Sequence, residues 1–457
     1  MPFINQLQHW AAARPQQAAV IVGEQALSFS ELLHEAGLAP AGGHVSIIDE
    51  PTGTGLAAKF CAAVLQGRTA MVLDAGWPDE VRRKLAEAAA AWAGGGSAER
   101  PFLLGLSSGT SGTPKAFVRS AESWRESFIQ STRHFGVETG CTTLAPGPLA
   151  ASMNLYALGE SIHAGGTFVA LLHFTPDAAL DAMDRHGATR LVLVPTVLEL
   201  IASRGLATGR GGSALRQIVC AGSALGPETL DLVRRWAPQA DIQQYYGAAE
   251  LGFVAASSDA GAPGVGVAFP GVELSIRGPG GAELPAGTPG DICVRSPYIC
   301  GGYAWGDDGL AFGSVGGTGT DPAAWFTVRD QGCLDADGVL HVAGRAGDMV
   351  VTAGANVYPH EVESALAAAV QCGIMVAGVP DSRRGQLLAA GIVVPGAAEA
   401  DAVLAACRKA AQALPAGHRP TAWYALDTLP LTGSGKPSRR LFAQWIQEGD
   451  PRARRIR

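Results

Sequence analysis

Charge is scarce in this 457-residue chain: charged residues make up 16% of it, against about 25% in an ordinary soluble domain. Apolar residues reach 47%, which excludes the low hydrophobicity and high net charge of a disordered chain. A basic excess is missing too. The 34 Lys and Arg are outnumbered by 41 Asp and Glu, so the net charge of −7 excludes a nucleic-acid footprint. Only the terminal run PRARRIR is locally basic, and it reads as a solvated tail. Eight cysteines are scattered with no C-x-x-C pair, so neither a zinc site nor a disulfide framework is indicated. A reducing, cytoplasmic setting fits. The start, MPFINQLQHWAAARP, lacks a basic region followed by an apolar one. The most apolar stretch, Gly55 to Leu73, is broken by Lys59, Gln66 and Arg68, so no membrane insertion is expected. Glycine is plentiful at 60 residues but shows no G-X-Y period, so it belongs to turns.

The texture of the chain changes twice. From Leu27 to Asp74 it reads strand, helix, apolar helix and strand, and then runs into AEAAAAWAGGGSAER, read as a loop or linker. Between residues 100 and 260, short apolar runs (PFLLGLS, RLVLVPT, QIVCAG, IQQYYG) alternate with helical patterns. In SAESWRESFIQSTRHF, for example, Trp124, Phe128, Thr132 and Phe135 share a face. Such alternation predicts an α/β layered core with parallel strands. After Gly261 the segments shorten and alternate between Gly, Pro and Asp turns, predicting a small β unit. Past Arg345, Pro359 and Glu361 open a helix lined by Val362, Leu366, Ala369 and Val370, and two strands and another helix follow. The expected architecture is therefore a large N-terminal domain (1–344) of layered α/β subdomains plus a small β unit, then an α+β C-terminal domain (345–457).

One segment has the makings of an anion cradle. Ser107-Ser108-Gly109-Thr110-Ser111-Gly112-Thr113-Pro114-Lys115 leaves a strand, and its glycines let backbone N–H groups converge without Cβ obstruction. Its hydroxyls add donors and Lys115 adds charge. The spacing is not that of the nucleotide-triphosphatase loop, because Lys115 follows proline rather than glycine.

Other segments follow in order: Gln244-Tyr245-Tyr246-Gly247-Ala248-Ala249-Glu250, GDICVRSPYICGGY ending at Tyr303, AWFTVRDQG, DADGVLHVAGRAGD, AGANVYPHEVE, and LPLTGSGKPSRRL from Leu429 to Leu441. With ALSFSELL and AMVLDAGWP upstream, the chain resembles the AMP-forming adenylate superfamily, which includes acyl-CoA synthetases, peptide-synthetase adenylation domains and luciferases. The resemblance covers nearly the whole chain. It implies that a carboxylate attacks the α-phosphorus of ATP to give an acyl adenylate, and that a thiol then displaces AMP. It further implies that Ser107 to Thr113 and Lys115 hold the β- and γ-phosphates, with Glu250 as the Mg²⁺ ligand. Ala221, Gly222, Ser223, Tyr245, Tyr246 and Gly247 would flank adenine, Asp330 the ribose, and Arg345 the ribose or phosphate. Lys436 would act in adenylation only. The segment Thr352 to Pro359, with Gly354, Asn356 and Tyr358, would line the thiol channel after the C-terminal domain swings about its hinge.

The sequence departs from the family pattern at four places. Ala249 stands where threonine usually precedes the glutamate, and Arg329 stands in the glycine position of T-G-D. Gly347 replaces the frequent hinge aspartate. Small residues around Ala150, Ala151 and Ser152 replace the gate at the acyl entrance.

By order along the chain, Met153, Asn154 and Tyr156, Val194 to Leu198, and Gly222, Ser223 and Gly247 would line the acyl pocket. Ala150 sits where amino-acid-activating relatives carry an aspartate. An unpaired ammonium in an apolar pocket is costly, so the expected substrate is a fatty or aryl acid rather than an amino acid. The resemblance implies CoA, or the phosphopantetheine of an acyl carrier protein, as thiol acceptor. A diverged nucleotide-binding protein with little catalysis stays open as an alternative, and so does a homodimer.

Overall fold

The computed structural model describes residues 1–40, 43–92, 94, 101–107, 114–223, 225–307, 309, 312–316, 324–345, 349–352, 355–367, 369–370, 372–381, 385–394, 397–432 and 437–456. The chain forms two compact units. The first comprises Met1–Ser275, Cys293–Val328 and Gly338–Leu340; the second comprises Ile276–Ile292, Arg329–Asp337 and His341–Arg457.

The first unit is built on a sheet of nine strands among the described residues. Its central run is parallel: Asp241–Ala248, Gln217–Ala221, Arg190–Leu193, Thr142–Ala145, Thr167–Ala170 and Ala18–Val22 lie side by side. Arg190–Leu193 and Thr167–Ala170 are buried at every position, as strands covered on both faces require. Three connecting helices, Pro176–His186, Pro195–Thr208 and Pro227–Trp236, each place proline in the first turn, where its missing N–H costs nothing. Leu180, Met183, Ile201, Leu230 and Val233 from these helices close over Leu191, Leu193 and Ile218 of the sheet. Beneath this core the Arg190 and Glu160 side chains, 2% and 3% exposed, form a 2.8 Å ion pair. Arg190 also donates to Gln217 Oε1 at 2.8 Å.

A second sheet in the same unit runs in the order Tyr303–Trp305, Lys115–Arg119, Leu103–Ser107, Thr69–Val72, Val45–Ile48. Leu103–Ser107 and Lys115–Arg119 form an antiparallel hairpin with Ser107 opposite Lys115. Ser107 and Lys115, which flank the hydroxyl-rich segment, thus stand opposite one another, and residues 108–113 lie outside the described ones. Two sequence expectations change here. The Ala-rich stretch is not a loop from its start: helix Asp79–Ala91 takes in AEAAAA, because alanine is the best helix former and Leu85 and Ala89 supply a buried face. The strand Val45–Ile48, which pairs in parallel with Thr69–Val72, was absent from the expected element order.

The second unit carries its own sheet, with Ala355–Val357, Val350–Thr352, Gly385–Val393, Ala422–Leu426 and Ala453–Ile456 in that order and Ile374–Asp381 beside Gly385–Val393. Helices Pro359–Ala367, Ala397–Ala411 and Arg439–Glu448 cover it. Val362 and Leu366 are buried as the helical spacing predicts, and Ala369 lies beyond the helix end and is exposed. Gly290 and Asp291 pair with Gly332 and Gln331.

Candidate active site

Glu250 occupies the turn of a tight hairpin. Strands Asp241–Ala248 and Gly252–Ser257 pair through Ala248 and Gly252, leaving Ala249, Glu250 and Leu251 as the loop. Gly252 closes the turn at φ +74°, and a Cβ there would meet Tyr298 Cβ at 2.8 Å, so both conformation and space demand glycine. The turn is pinned from outside by Arg119. This buried guanidinium donates to the Ala249 and Tyr298 carbonyls, and burial holds its pKa below the ordinary value. The Glu250 side chain is nearly buried; its Oε1 accepts the Tyr303 hydroxyl at 2.8 Å, and its carbonyl accepts the Cys300 N–H at 2.8 Å. The Lys115 ammonium, also buried, lies 5.6 Å from the centre of the Tyr303 ring. Lys115 and Glu250, predicted separately from sequence, therefore meet through one phenol.

The residues expected around adenine lie at the carboxyl ends of neighbouring parallel strands, with Ala221 opposite Tyr245 and Gly222 and Ser223 exposed just beyond. This is where open α/β sheets bind ligands. Strand alternation divides the two tyrosines. The Tyr245 ring points into the aromatic core, 4.7 Å from Phe253 and 6.0 Å from Phe135, and burial raises the pKa of its hydroxyl. Tyr246 follows on the other face. Gly247 approaches the Gly252 carbonyl too closely for any Cβ.

The acyl-pocket candidates Met153, Asn154 and Tyr156 share the helix Ser152–Ala164. Tyr156 is committed to the core: its hydroxyl is bonded by Ser127 and Ser131 at 2.9 and 3.0 Å, and its ring packs on Trp124, Phe128 and Phe253. Asn154, also buried, donates to the Pro148 carbonyl at 2.8 Å, and its Oδ1 finds no partner among the described residues.

In the second unit, Asp330 is buried at the start of strand Asp330–Leu334. Arg329 before it has φ +64°, the left-handed region in which a side chain is strained. It reaches Asp291 at 3.2 Å, and Asp291 also accepts from Gln331. The Tyr358 hydroxyl is held above its ordinary pKa by burial and then by Glu361 and Asp291. Arg345 ends strand Leu340–Arg345, and Asn356 sits in strand Ala355–Val357. Gly354, Lys436 and Ser108 to Thr113 lie outside the described residues. On either side of the undescribed stretch that holds Lys436, Leu431 bridges Pro437 and the Ser438 N–H donates to the Pro430 carbonyl at 2.8 Å. Arg439, next in the chain, forms a fork with Glu363 at 2.5 and 3.2 Å.

Sequence reading assigned no role to Arg119 or Tyr303. Tyr303 ended a quoted segment and could have been found there; Arg119 carried no signal beyond lying two strand repeats after Lys115.

A divalent cation fits this setting in one particular way. No cluster of three potential metal-ligating side chains occurs among the described residues. Glu250 is instead a lone, oriented carboxylate, and Mg²⁺ characteristically takes one or two carboxylates and fills its remaining positions with phosphate oxygens and water.

Residues 48–304 match the family described as AMP-binding enzyme, and residues 361–436 match the AMP-binding enzyme C-terminal domain. The uncharacterized acyl–CoA ligase YhfT of Bacillus subtilis is 32% identical over 355 residues, 77% of this chain and 70% of that one. The indoleacetate–CoA ligase of Aromatoleum aromaticum is 31% identical over 307 residues, 65% of this chain, and the chain spans only 58% of its length. In fold, the chain is similar to the o-succinylbenzoate CoA synthetase of Bacillus subtilis, solved with an acyl-adenylate intermediate, at a TM-score of 0.80, 22% identity and 99% coverage of both chains. No helix among the described residues is long and apolar enough to cross a membrane. With the family match covering more than half of the sequence and continuing into the C-terminal region, the chain belongs to the AMP-forming adenylate superfamily.

Proposed function

We propose that this chain is an AMP-forming acid–thiol ligase that activates a fatty or aryl carboxylic acid with ATP and passes the acyl group to the thiol of CoA. The observation that carries this reading is the meeting of Lys115, at the foot of the phosphate-loop hairpin, with the oriented carboxylate of Glu250.

In the first step a carboxylate oxygen attacks the α-phosphorus of ATP and pyrophosphate leaves. Charge accumulates around the phosphates, so positioning and electrostatic stabilisation supply most of the rate. Ser107 to Thr113 and Lys115 hold the β- and γ-phosphates, and Glu250 would hold a Mg²⁺ ion, which would offset the phosphate charge. Ala221 to Ser223, Tyr246 and Gly247 enclose adenine, with Tyr245 supporting from behind. Asp330 takes the ribose hydroxyls, with Arg345 beside the ribose or phosphate. Lys436 reaches the reacting carboxylate and the α-phosphate. In the second step the C-terminal domain, residues 345–457, turns about its hinge and exchanges Lys436 for the segment holding Gly354, Asn356 and Tyr358. The thiol sulfur then attacks the acyl carbon and AMP leaves.

The acid lacks an α-amino group, because no carboxylate occupies the Ala150 position to receive an ammonium. Met153 and the rings behind Tyr156 offer apolar surface instead. The eight scattered cysteines, with no C-x-x-C pair, suit a cytoplasmic setting.

The test is acid-dependent pyrophosphate exchange with fatty, aryl and amino acids, followed by acceptor trials. Exchange with a fatty or aryl acid, followed by thioester formation on CoA, is expected. Exchange with amino acids alone would overturn the substrate class, and loading of a carrier protein in place of CoA would overturn the acceptor.

A further inference from the structure

Tyr303 has no counterpart among the residues assigned above, yet it contacts both charged groups of the triphosphate end. Its hydroxyl donates to Glu250 Oε1 at 2.8 Å, and its ring lies under the Lys115 ammonium at 5.6 Å. The segment leading to it is fastened to the same two elements by backbone. Cys300 N–H donates to the Glu250 carbonyl at 2.8 Å; Gly301 N–H donates to the Val118 carbonyl, and Val118 N–H to the Gly302 carbonyl, both at 2.9 Å. Tyr303 then pairs with Phe117 across the antiparallel strands. The phenol is therefore preorganised, with little rotational freedom left to lose when a ligand arrives.

We infer that Tyr303 is a positioning residue that fixes the Glu250 carboxylate for a divalent cation and couples it to Lys115 on the phosphate side. This rests on reading Glu250 as the metal-facing carboxylate. A phenol donating to a carboxylate forms a charge-assisted bond that holds one oxygen and leaves the group its negative charge, whereas a cationic partner would neutralise it. An ammonium over the ring is attracted by its face and draws electron density from the hydroxyl, so the two contacts strengthen each other. Groups that orient metal ligands in this way typically change metal affinity by about 10- to 100-fold when removed.

The experiment uses the full chain with the non-hydrolysable analogue α,β-methylene-ATP and Mn²⁺, read by the water-proton relaxation enhancement of the ternary complex. Three variants are compared with the parent: Tyr303→Phe, Tyr303→Leu and Glu250→Gln. Tyr303→Phe keeps the ring and loses the hydroxyl, so it should bind Mn²⁺ about tenfold more weakly with an unchanged melting temperature and unchanged affinity for metal-free analogue. Tyr303→Leu should in addition weaken the metal-free analogue about threefold through Lys115. If Glu250→Gln weakens Mn²⁺ but Tyr303→Phe does not, the positioning role is overturned and the reading of Glu250 stands. If neither variant weakens Mn²⁺, the metal reading fails and this inference fails with it. Parent-like analogue affinity in Tyr303→Leu overturns the coupling to Lys115.

Discussion

Glu250 in the first unit and Glu363 in the second are both largely buried carboxylates, and the molecule satisfies them in opposite ways. Burial would raise the Glu363 pKa, but contacts from His360 and Arg439 and the Val376 N–H hold it below the ordinary value. Glu160 is likewise paired with a cation, Arg190, at 2.8 Å. Among the described residues Glu250 has no ion pair; its side chain takes a phenol, and the nearby Arg119 spends its donors on carbonyls. A paired buried charge is complete and serves the fold. A buried charge given only neutral donors costs desolvation that a charged ligand can offset, and the second arrangement is the one the proposed function asks of Glu250.

That contrast can be broken by experiment, beginning with the largest effect. Lys436→Ala should slow pyrophosphate exchange by about a thousandfold or more while thioester formation from supplied acyl adenylate stays largely intact. Equal loss in both half-reactions would refute the two-pose assignment. Glu250→Gln should lower exchange by about a hundredfold and raise the Mg²⁺ concentration needed for half-maximal rate, with no loss of stability in urea. Arg190→Leu should do the reverse, costing about 3–5 kcal/mol in urea unfolding while the folded fraction keeps its turnover. If Glu250→Gln destabilises as much as Arg190→Leu does, the distinction between the two kinds of buried charge is lost.

Smaller effects sharpen the comparison. Glu363→Gln should cost about 2 kcal/mol, less than a fully buried pair because Arg439 stays partly exposed. The sign with pH follows from the depressed pKa: the Glu363 contribution is complete above its ordinary value of 4.5 and fades as pH falls through the lower folded-state value. Unfolding measured between pH 3 and 6 should therefore show a shallower acid loss in the variant. At Arg329 the left-handed backbone separates two replacements that both delete the contact with Asp291. Arg329→Gly should be more stable than Arg329→Ala by about 1 kcal/mol, because only glycine adopts φ +64° without strain. Equal melting of the two would mean that the strain is absent.

What the sequence disclosed was whatever depends on local pattern. The strand leading into Ser107 and the strand ends near Ala221 and Tyr245 follow from short apolar runs, whereas the antiparallel partners Lys115–Arg119 and Gly252–Ser257, which make hairpins of the flanking segments, were not in the sequence pattern. Val45–Ile48 escaped notice because four residues between polar stretches give too little period to register. The Ala-rich helix was missed because glycines just beyond it suggested a linker. Tyr303 and Arg119 matter through partners far away in sequence: Tyr303 meets Glu250 across 53 positions, and Arg119 meets Ala249 across 130. No local pattern announces such contacts. The division of labour between Tyr245 and Tyr246 needed the strand's facing, which adjacency in sequence implies but a motif match conceals.

The most direct test is to identify the nucleotide product when the chain turns over ATP with a fatty or aryl acid and CoA. Chromatography of the reaction should show AMP and pyrophosphate formed in step with the thioester. ADP and inorganic phosphate in their place, or ATP consumption indifferent to the acid, would contradict the account.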